Sequence, residues 1–130
     1  MKPHSNRPLS PHIQIYDMTR FTSFTSLMHR ATGIICALGM VFVASWLTIA
    51  ASGEANYRWA NKVLSHWFVV GGLFIWSGCL CYHFCNGIRH LRWDIGKGFG
   101  LVEAKRSAVI VQITTVLMNL TLWLAIWSVL

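Results

Sequence analysis

The sequence predicts an all-α protein, a transmembrane bundle of three helices. Of its 130 residues, 55% are hydrophobic and only 12% are charged, which is too apolar for a soluble protein of this size. Three runs contain no charged residue: Ala31 to Gly53, Val63 to Ile88 and Ser107 to Leu130, with 23, 26 and 24 residues. A helix that crosses a bilayer needs about 20 apolar residues. Each run therefore predicts one membrane span.

The helix bounds follow from the polar residues that flank these runs. Hydroxyl side chains before the first run can cap a helix start, and the three helices are predicted at about 23–51, 61–91 and 107–129. All three prolines lie at positions 3, 8 and 11, which favours an extended segment. We therefore expect two parts: an extended N-terminal segment, 1–22, on the inner membrane face, and a three-helix anchor domain, 23–130.

The basic residues predict the orientation of the bundle. They are concentrated before the first run and between the second and third runs, whereas the loop between the first and second runs has only Arg58 and Lys62. Short loops rich in Lys and Arg stay on the cytoplasmic side. The N-terminus is therefore expected on the cytoplasmic or matrix side, and the C-terminus outside.

The net charge of +7 is explained by this topology and by anionic lipid headgroups, and it requires no nucleic acid partner. The four cysteines all lie within predicted spans, where they are expected to be small buried hydrophobes. The first 20 residues lack the apolar core of a signal peptide. The expected location is the bacterial cytoplasmic (inner) membrane as a multi-pass protein, or the mitochondrial inner membrane if the source is eukaryotic.

Ser26, His29 and Arg30 share one face of the first helix where it enters the membrane. Two interpretations are open. Arg30 can be an interfacial anchor that reaches lipid phosphates beside a solvated His29. Alternatively, the three side chains are a donor set for a carbonyl oxygen or a carboxylate, since ionisable groups within membranes are commonly functional.

His83 lies within the second apolar run, and His90 follows it by seven residues on the same helix face. A planar cofactor with an apolar body and acidic tails would suit this arrangement. The spacing leaves two interpretations open for His83, a haem ligand or a hydrogen-bonded packing histidine. His66, near the outer end of the same helix, is interpreted as an interfacial histidine.

A b-type haem needs two axial nitrogens at one membrane depth. His66 and His83 are 17 residues apart, about 25 Å along a helix, so they cannot bind one iron. His29 is expected to match His90 in depth better than it matches His83, and the third helix has no histidine. If a haem is bound, this chain supplies one ligand, His83, and another polypeptide supplies the second. His29, Arg30, His90 and also Arg89 would then lie where the haem propionates point.

Three ordered motifs cover almost the whole chain: RPLSPHIQIY at 7–16, SLMHRATG at 26–33 and HFCNGIRHL at 83–91, followed by Trp93, Asp94 and Gly96. Together they resemble the cytochrome b subunit of succinate dehydrogenase, respiratory complex II. The resemblance implies a membrane anchor that, with a second small anchor subunit, holds the flavoprotein and iron-sulfur subunits and passes electrons to ubiquinone. With these partners the chain would be a non-flavin subunit of an enzyme, succinate dehydrogenase, which transfers electrons from succinate to quinone; the resemblance leaves open whether the isolated chain is an enzyme.

Residue by residue, the resemblance implies that His83 is an axial ligand of haem b, whose other ligand comes from the second anchor. It implies that Ser26 and Arg30 line the ubiquinone site and that His29 and His90 lie near the propionates. Ser26 would donate or relay a proton to a quinone carbonyl, and Arg30 would stabilise charge on a quinone oxygen. Two alternatives remain: the anchor of a quinol-fumarate reductase, and a structural anchor without haem.

Overall fold

The computed structural model describes residues 21–129. This range forms four helices and no strand: α1 (Phe21–Ala51), α2 (Glu54–Leu64), α3 (Trp67–Asp94) and α4 (Leu101–Val129). Of these, α1, α3 and α4 are long and apolar enough to cross a membrane. The prediction of an all-α bundle with three spans is confirmed. The predicted extended segment 1–22 lies outside the described residues, apart from positions 21 and 22, which are helical.

The helix bounds differ from prediction between the first two spans, α1 and α3. A single helix was expected over 61–91, but the chain ends α2 at Leu64 and starts α3 at Trp67. His66 between them has an extended backbone, with φ −70° and ψ 129°, and its Nδ1 accepts a hydrogen bond of 3.3 Å from the N–H of Phe68. His66 is thus an exposed helix cap, because it satisfies one of the backbone donors that every helix start leaves without a partner.

The connection between the first two spans, α1 and α3, is itself helical, which the sequence prediction missed. α2 is short and amphipathic, with Glu54 in its first turn and Lys62 in its last, where each charge suits the helix dipole. Its Ala60 is buried, with 1% exposure, and the Ala60 carbonyl accepts a hydrogen bond of 3.4 Å from Nε1 of Trp46. α2 therefore packs on α1 rather than forming a flexible loop.

α3 is the centre of the bundle, because it packs along both α1 and α4, while α1 and α4 touch each other less. Few side chains are buried, and most large apolar ones on the three spans face outward. Lipid or partner helices are the natural neighbours of such a surface. Cys36 and Cys85 are buried and Cys79 and Cys81 half-buried, all as thiols, as expected for small hydrophobes.

A polar cluster joins α3 to α4 within the membrane. Ser77 donates through Oγ to Oδ1 of Asn119 at 2.7 Å, and Asn119 donates through Nδ2 to the carbonyl of Phe74 at 3.4 Å. Nε1 of Trp123 donates to Oγ of Ser77 at 2.9 Å. Lipid is as apolar as a protein core, so the hydrophobic effect does not drive helices together within a membrane. Hydrogen bonds such as these help to hold α3 and α4 together instead.

The Trp76 side chain of α3 packs directly against Gly39 of α1. A Cβ atom on Gly39 would overlap the indole nitrogen of Trp76, so only glycine allows this packing. Gly71 on α3, by contrast, has no atom within 4 Å of such a Cβ. The closeness of α1 and α3 at this depth therefore depends on one small residue.

Gly39→Ala is expected to lower the melting temperature of the purified complex, because the half-buried Trp76 indole must leave its position and overpacking costs about 1–3 kcal/mol. Gly71→Ala is the matched control. It should leave the melting temperature unchanged or slightly raised, since alanine favours helix by up to about 1 kcal/mol over glycine. Differential scanning fluorimetry of both variants checks this, and equal melting temperatures would contradict the role of Gly39.

Candidate functional site

Three imidazole rings stack between α1 and α3 near the end of the bundle where these helices carry arginines. The ring of His29 on α1 lies 4.0 Å from that of His83 and 4.8 Å from that of His90, measured between centroids. His90 also meets Trp93 edge-on at 5.0 Å. We expected His29 to match His90 in depth better than His83, but its ring lies between the two and closer to His83.

The contacts of His83 determine which of its nitrogens carries the proton. Nδ1 lies 3.0 Å from the backbone carbonyl of His29 and 3.4 Å from Oγ1 of Thr32. A carbonyl only accepts, so Nδ1 must carry the hydrogen. The Thr32 hydroxyl donates to the carbonyls of Met28 and His29 at 2.8 and 3.0 Å, so it too can accept from Nδ1. In the neutral imidazole, Nε2 of His83 then presents a lone pair.

Two residues that hold His83 were not singled out as site residues from the sequence. Thr32 is buried and contacts Nδ1, and Gly33 lies so near the ring that a Cβ there would be 3.0 Å from Cε1 of His83. Both lie within the quoted motif at 26–33, which was the available signal. The ring is therefore held on one edge by a carbonyl and a hydroxyl and packed against a glycine.

The other two histidines each have a buried nitrogen without a hydrogen-bond partner in the described part of the chain. These atoms are Nδ1 of His29 and Nε2 of His90. Buried polar atoms are almost always paired in folded proteins. The pair of unsatisfied atoms therefore indicates a polar group that a further molecule or subunit brings to this stack.

Ser26 and Arg30 lie on α1 beside the stack. Ser26 is half-buried and Arg30 is exposed, and neither side chain forms a hydrogen bond to another described residue. Arg30 is close enough to His90 for an electrostatic interaction. The structure thus brings these two donors to the same end of the bundle as His29, His83 and His90.

Arg89 does not belong to this polar edge, which corrects the expectation that it faces the propionates. Its side chain is only 4% exposed and donates to Thr25, Asn86, Ser107 and Ala104 within the bundle. Within residues 21–129 the only ion pair joins Arg58 to Glu54, at 3.5 Å, so Asp94 forms no ion pair there with Arg89 or Arg92.

One side chain of this cluster, His83, is oriented like a metal ligand. Among the described residues, no group of three or more His, Cys, Asp or Glu side chains could hold a metal ion. A single imidazole whose Nδ1–H is fixed by a carbonyl, leaving Nε2 as acceptor, is nevertheless a common arrangement of a histidine ligand. The residues present therefore fit a haem that would be held through His83.

The fold and this site define an integral membrane protein, a helical anchor with a histidine and arginine cluster at one end. The family model described as "Succinate dehydrogenase/Fumarate reductase transmembrane subunit" matches residues 3–129. The chain belongs to this family, which confirms the resemblance carried by its three motifs.

Curated relatives agree with the family model. The chain is 32% identical over 120 residues to the succinate dehydrogenase cytochrome b556 subunit of Rickettsia felis, covering 92% of this chain and 93% of that protein. It is 36% identical to the cytochrome b556 subunit of Paracoccus denitrificans, covering 90% of each. It is 38% identical to the human mitochondrial cytochrome b560 subunit, covering 91% of this chain and 70% of the human protein. These relatives and the three spans indicate an integral inner-membrane protein of an electron-transport complex.

Proposed function

We propose that the chain is the haem b-binding membrane anchor subunit of a succinate:ubiquinone oxidoreductase. The observation that carries the proposal is the hydrogen bond that holds His83. Its Nδ1 lies 3.0 Å from the His29 carbonyl, which leaves the Nε2 of a neutral ring with a lone pair. His83 would be one axial ligand of a single haem b. A second small anchor subunit would supply the other ligand.

The unpaired nitrogens of His29 and His90 support a place for the haem propionates at the stack, with Arg30 contributing charge nearby. A carboxylate is the group that imidazole and guanidinium donors best satisfy. When bound, the haem would supply one-electron redox capacity. This chain's residues would orient one haem ligand and would pair with the haem propionates. They would also exclude water from the ligand and from the propionates.

Ser26 and Arg30 are proposed to bind ubiquinone. Both side chains leave their hydrogen-bonding groups unused within the described chain, and they lie one turn apart on α1. Ser26 would donate to or relay a proton toward a quinone carbonyl, and Arg30 would stabilise negative charge on a quinone oxygen. The bilayer keeps water away, which strengthens these interactions.

The proposed orientation places the N-terminus and the loop between α3 and α4 on the cytoplasmic or matrix side, since basic residues flank the spans there. The iron-sulfur and flavoprotein subunits would bind this face and deliver electrons from succinate. The spans themselves would be surrounded by membrane lipid and by the second anchor.

The test is to purify the complex through an affinity tag on this chain and record reduced-minus-oxidised spectra. We expect b-type haem bands and succinate-to-ubiquinone activity in a complex with the flavoprotein and iron-sulfur subunits. Absence of b-type bands would favour a structural anchor without haem. Comparing succinate oxidation with fumarate reduction in membranes separates the proposal from a quinol-fumarate reductase, because the latter would favour fumarate reduction.

A further inference from the structure

Three donors on α3 converge on one residue of α1. The hydroxyl of Tyr82 and Nδ2 of Asn86 donate to the backbone carbonyl of Thr25, at 3.0 and 3.3 Å. Nη1 of Arg89 donates to the Thr25 hydroxyl at 3.0 Å. Thr25 and Asn86 are both fully buried, with 0% exposure. No other residue of α1 within the described chain accepts three such bonds from another helix.

Arg89 connects this point to α4. Its Nε donates to Oγ of Ser107 at 3.0 Å, and Nη2 donates to the carbonyl of Ala104 at 3.1 Å. Its guanidinium carbon also lies 4.1 Å from the centre of the Trp93 ring. The guanidinium is planar and rigid, so contacts with α4 and with the ring determine where its remaining N–H groups point. Among those groups, Nη1 donates to the Thr25 hydroxyl.

Thr25 directly precedes Ser26, and Arg30 follows five residues after Thr25 on the same helix. Each residue of an α-helix turns the chain by about 100° and raises it by about 1.5 Å. The rotation and depth of Thr25 therefore determine the directions in which the side chains of Ser26 and Arg30 point. Fixing Thr25 therefore fixes the side of α1 that carries Ser26 and Arg30.

We propose that Arg89 and Thr25 are positioning residues for the quinone site. Arg89 links α4 to Thr25 near the start of α1. This link keeps Ser26 and Arg30 in position at the quinone. The inference rests on the proposed function, in which Ser26 and Arg30 bind ubiquinone. Neither Arg89 nor Thr25 touches the substrate in this role.

The test uses the assembled complex and measures the KM for a short-chain ubiquinone analogue and, separately, the reduction of a soluble dye by succinate. Thr25→Val keeps the side-chain shape and the carbonyl but removes the acceptor for Arg89, and Arg89→Gln removes the donor. Each is expected to raise the quinone KM about tenfold, as expected for a misplaced binding group, with dye reduction within about twofold of wild type. Thr25→Ser should restore the KM.

Thr48→Val is the matched control, because Thr48 lies on the same helix as Thr25 and its exposed hydroxyl donates to the carbonyl of Ala44 within that helix. Its quinone KM should stay within about twofold of wild type. The double variant of Thr25→Val and Arg89→Gln should show the KM of Arg89→Gln alone, since Arg89→Gln already removes the bond to Thr25.

An unchanged quinone KM in Thr25→Val would overturn the inference, as would additive effects in the double variant or an equal loss of quinone and dye activities. Ser26→Ala distinguishes this failure from failure of the proposed function. If Ser26→Ala impairs quinone reduction while Thr25→Val does not, the quinone site holds and the positioning role is wrong. If Ser26→Ala has no effect on quinone reduction, the proposed function itself fails, and the inference with it.

Discussion

His83→Ala is expected to abolish the b-type haem bands of the purified complex. The variant removes the imidazole that is proposed as the ligand, whose Nδ1 is fixed by the His29 carbonyl so that Nε2 is left as acceptor. A haem with one axial ligand binds far more weakly, and loss of a ligand commonly costs orders of magnitude in occupancy. Reduced-minus-oxidised spectra, normalised to flavin, measure the loss.

Two histidines of the same chain provide matched controls. His66→Ala changes a histidine that caps α3 at the outer end and should leave the spectrum unchanged. His29→Ala removes the stacked ring but keeps the backbone carbonyl that orients His83, so most of the absorbance should remain. Full absorbance in His83→Ala would contradict the ligand assignment. Equal loss in His66→Ala and His83→Ala would instead indicate failed assembly.

Ser26→Ala and Arg30→Leu are each expected to lower succinate-to-ubiquinone electron transfer by about tenfold to a hundredfold, because each removes a donor that is proposed to bind the quinone within the membrane. Succinate reduction of a soluble dye should be retained, since electrons reach the dye before the quinone site. The ratio of the two activities in the same membranes is the measurement.

The chain offers controls of matched chemistry for both substitutions. Ser45 is an exposed serine in the middle of α1 whose hydroxyl bonds its own helix, and Arg58 is an exposed arginine on α2. Ser45→Ala and Arg58→Leu should leave the ratio of activities near that of wild type. If Ser26→Ala and Arg30→Leu lowered both activities equally, the two residues would support assembly and the quinone assignment would be wrong.

The three spans could be predicted because the property that defines them is local. A run of 23 to 26 residues without charge can be counted in the sequence, and the thickness of the bilayer sets the length required. The separate helix α2 was missed for the same reason. The apolar run from Val63 continues across the break at Ser65 and His66, so hydropathy alone shows no interruption.

The candidate site could be predicted in part. Helical spacing placed His83 and His90 on one face of α3, and they do lie on the two sides of His29. Spacing gave no distance between helices, so it could not show that the His29 ring lies nearer to His83. It also could not show that the carbonyl of His29, a backbone atom, is the acceptor for Nδ1.

The buried position of Arg89 could not be predicted from the sequence. Next to His90 in a basic motif, it looked like a residue of the polar edge, whereas it is buried against Thr25, Ser107 and the Trp93 ring. Run length and composition were sufficient for the membrane class, the number of spans and the candidate histidines, because these depend on one segment at a time. The direction of Arg89 and the protonated nitrogen of His83 depend on partners 15 to 64 residues away along the chain, which only helix packing brings together.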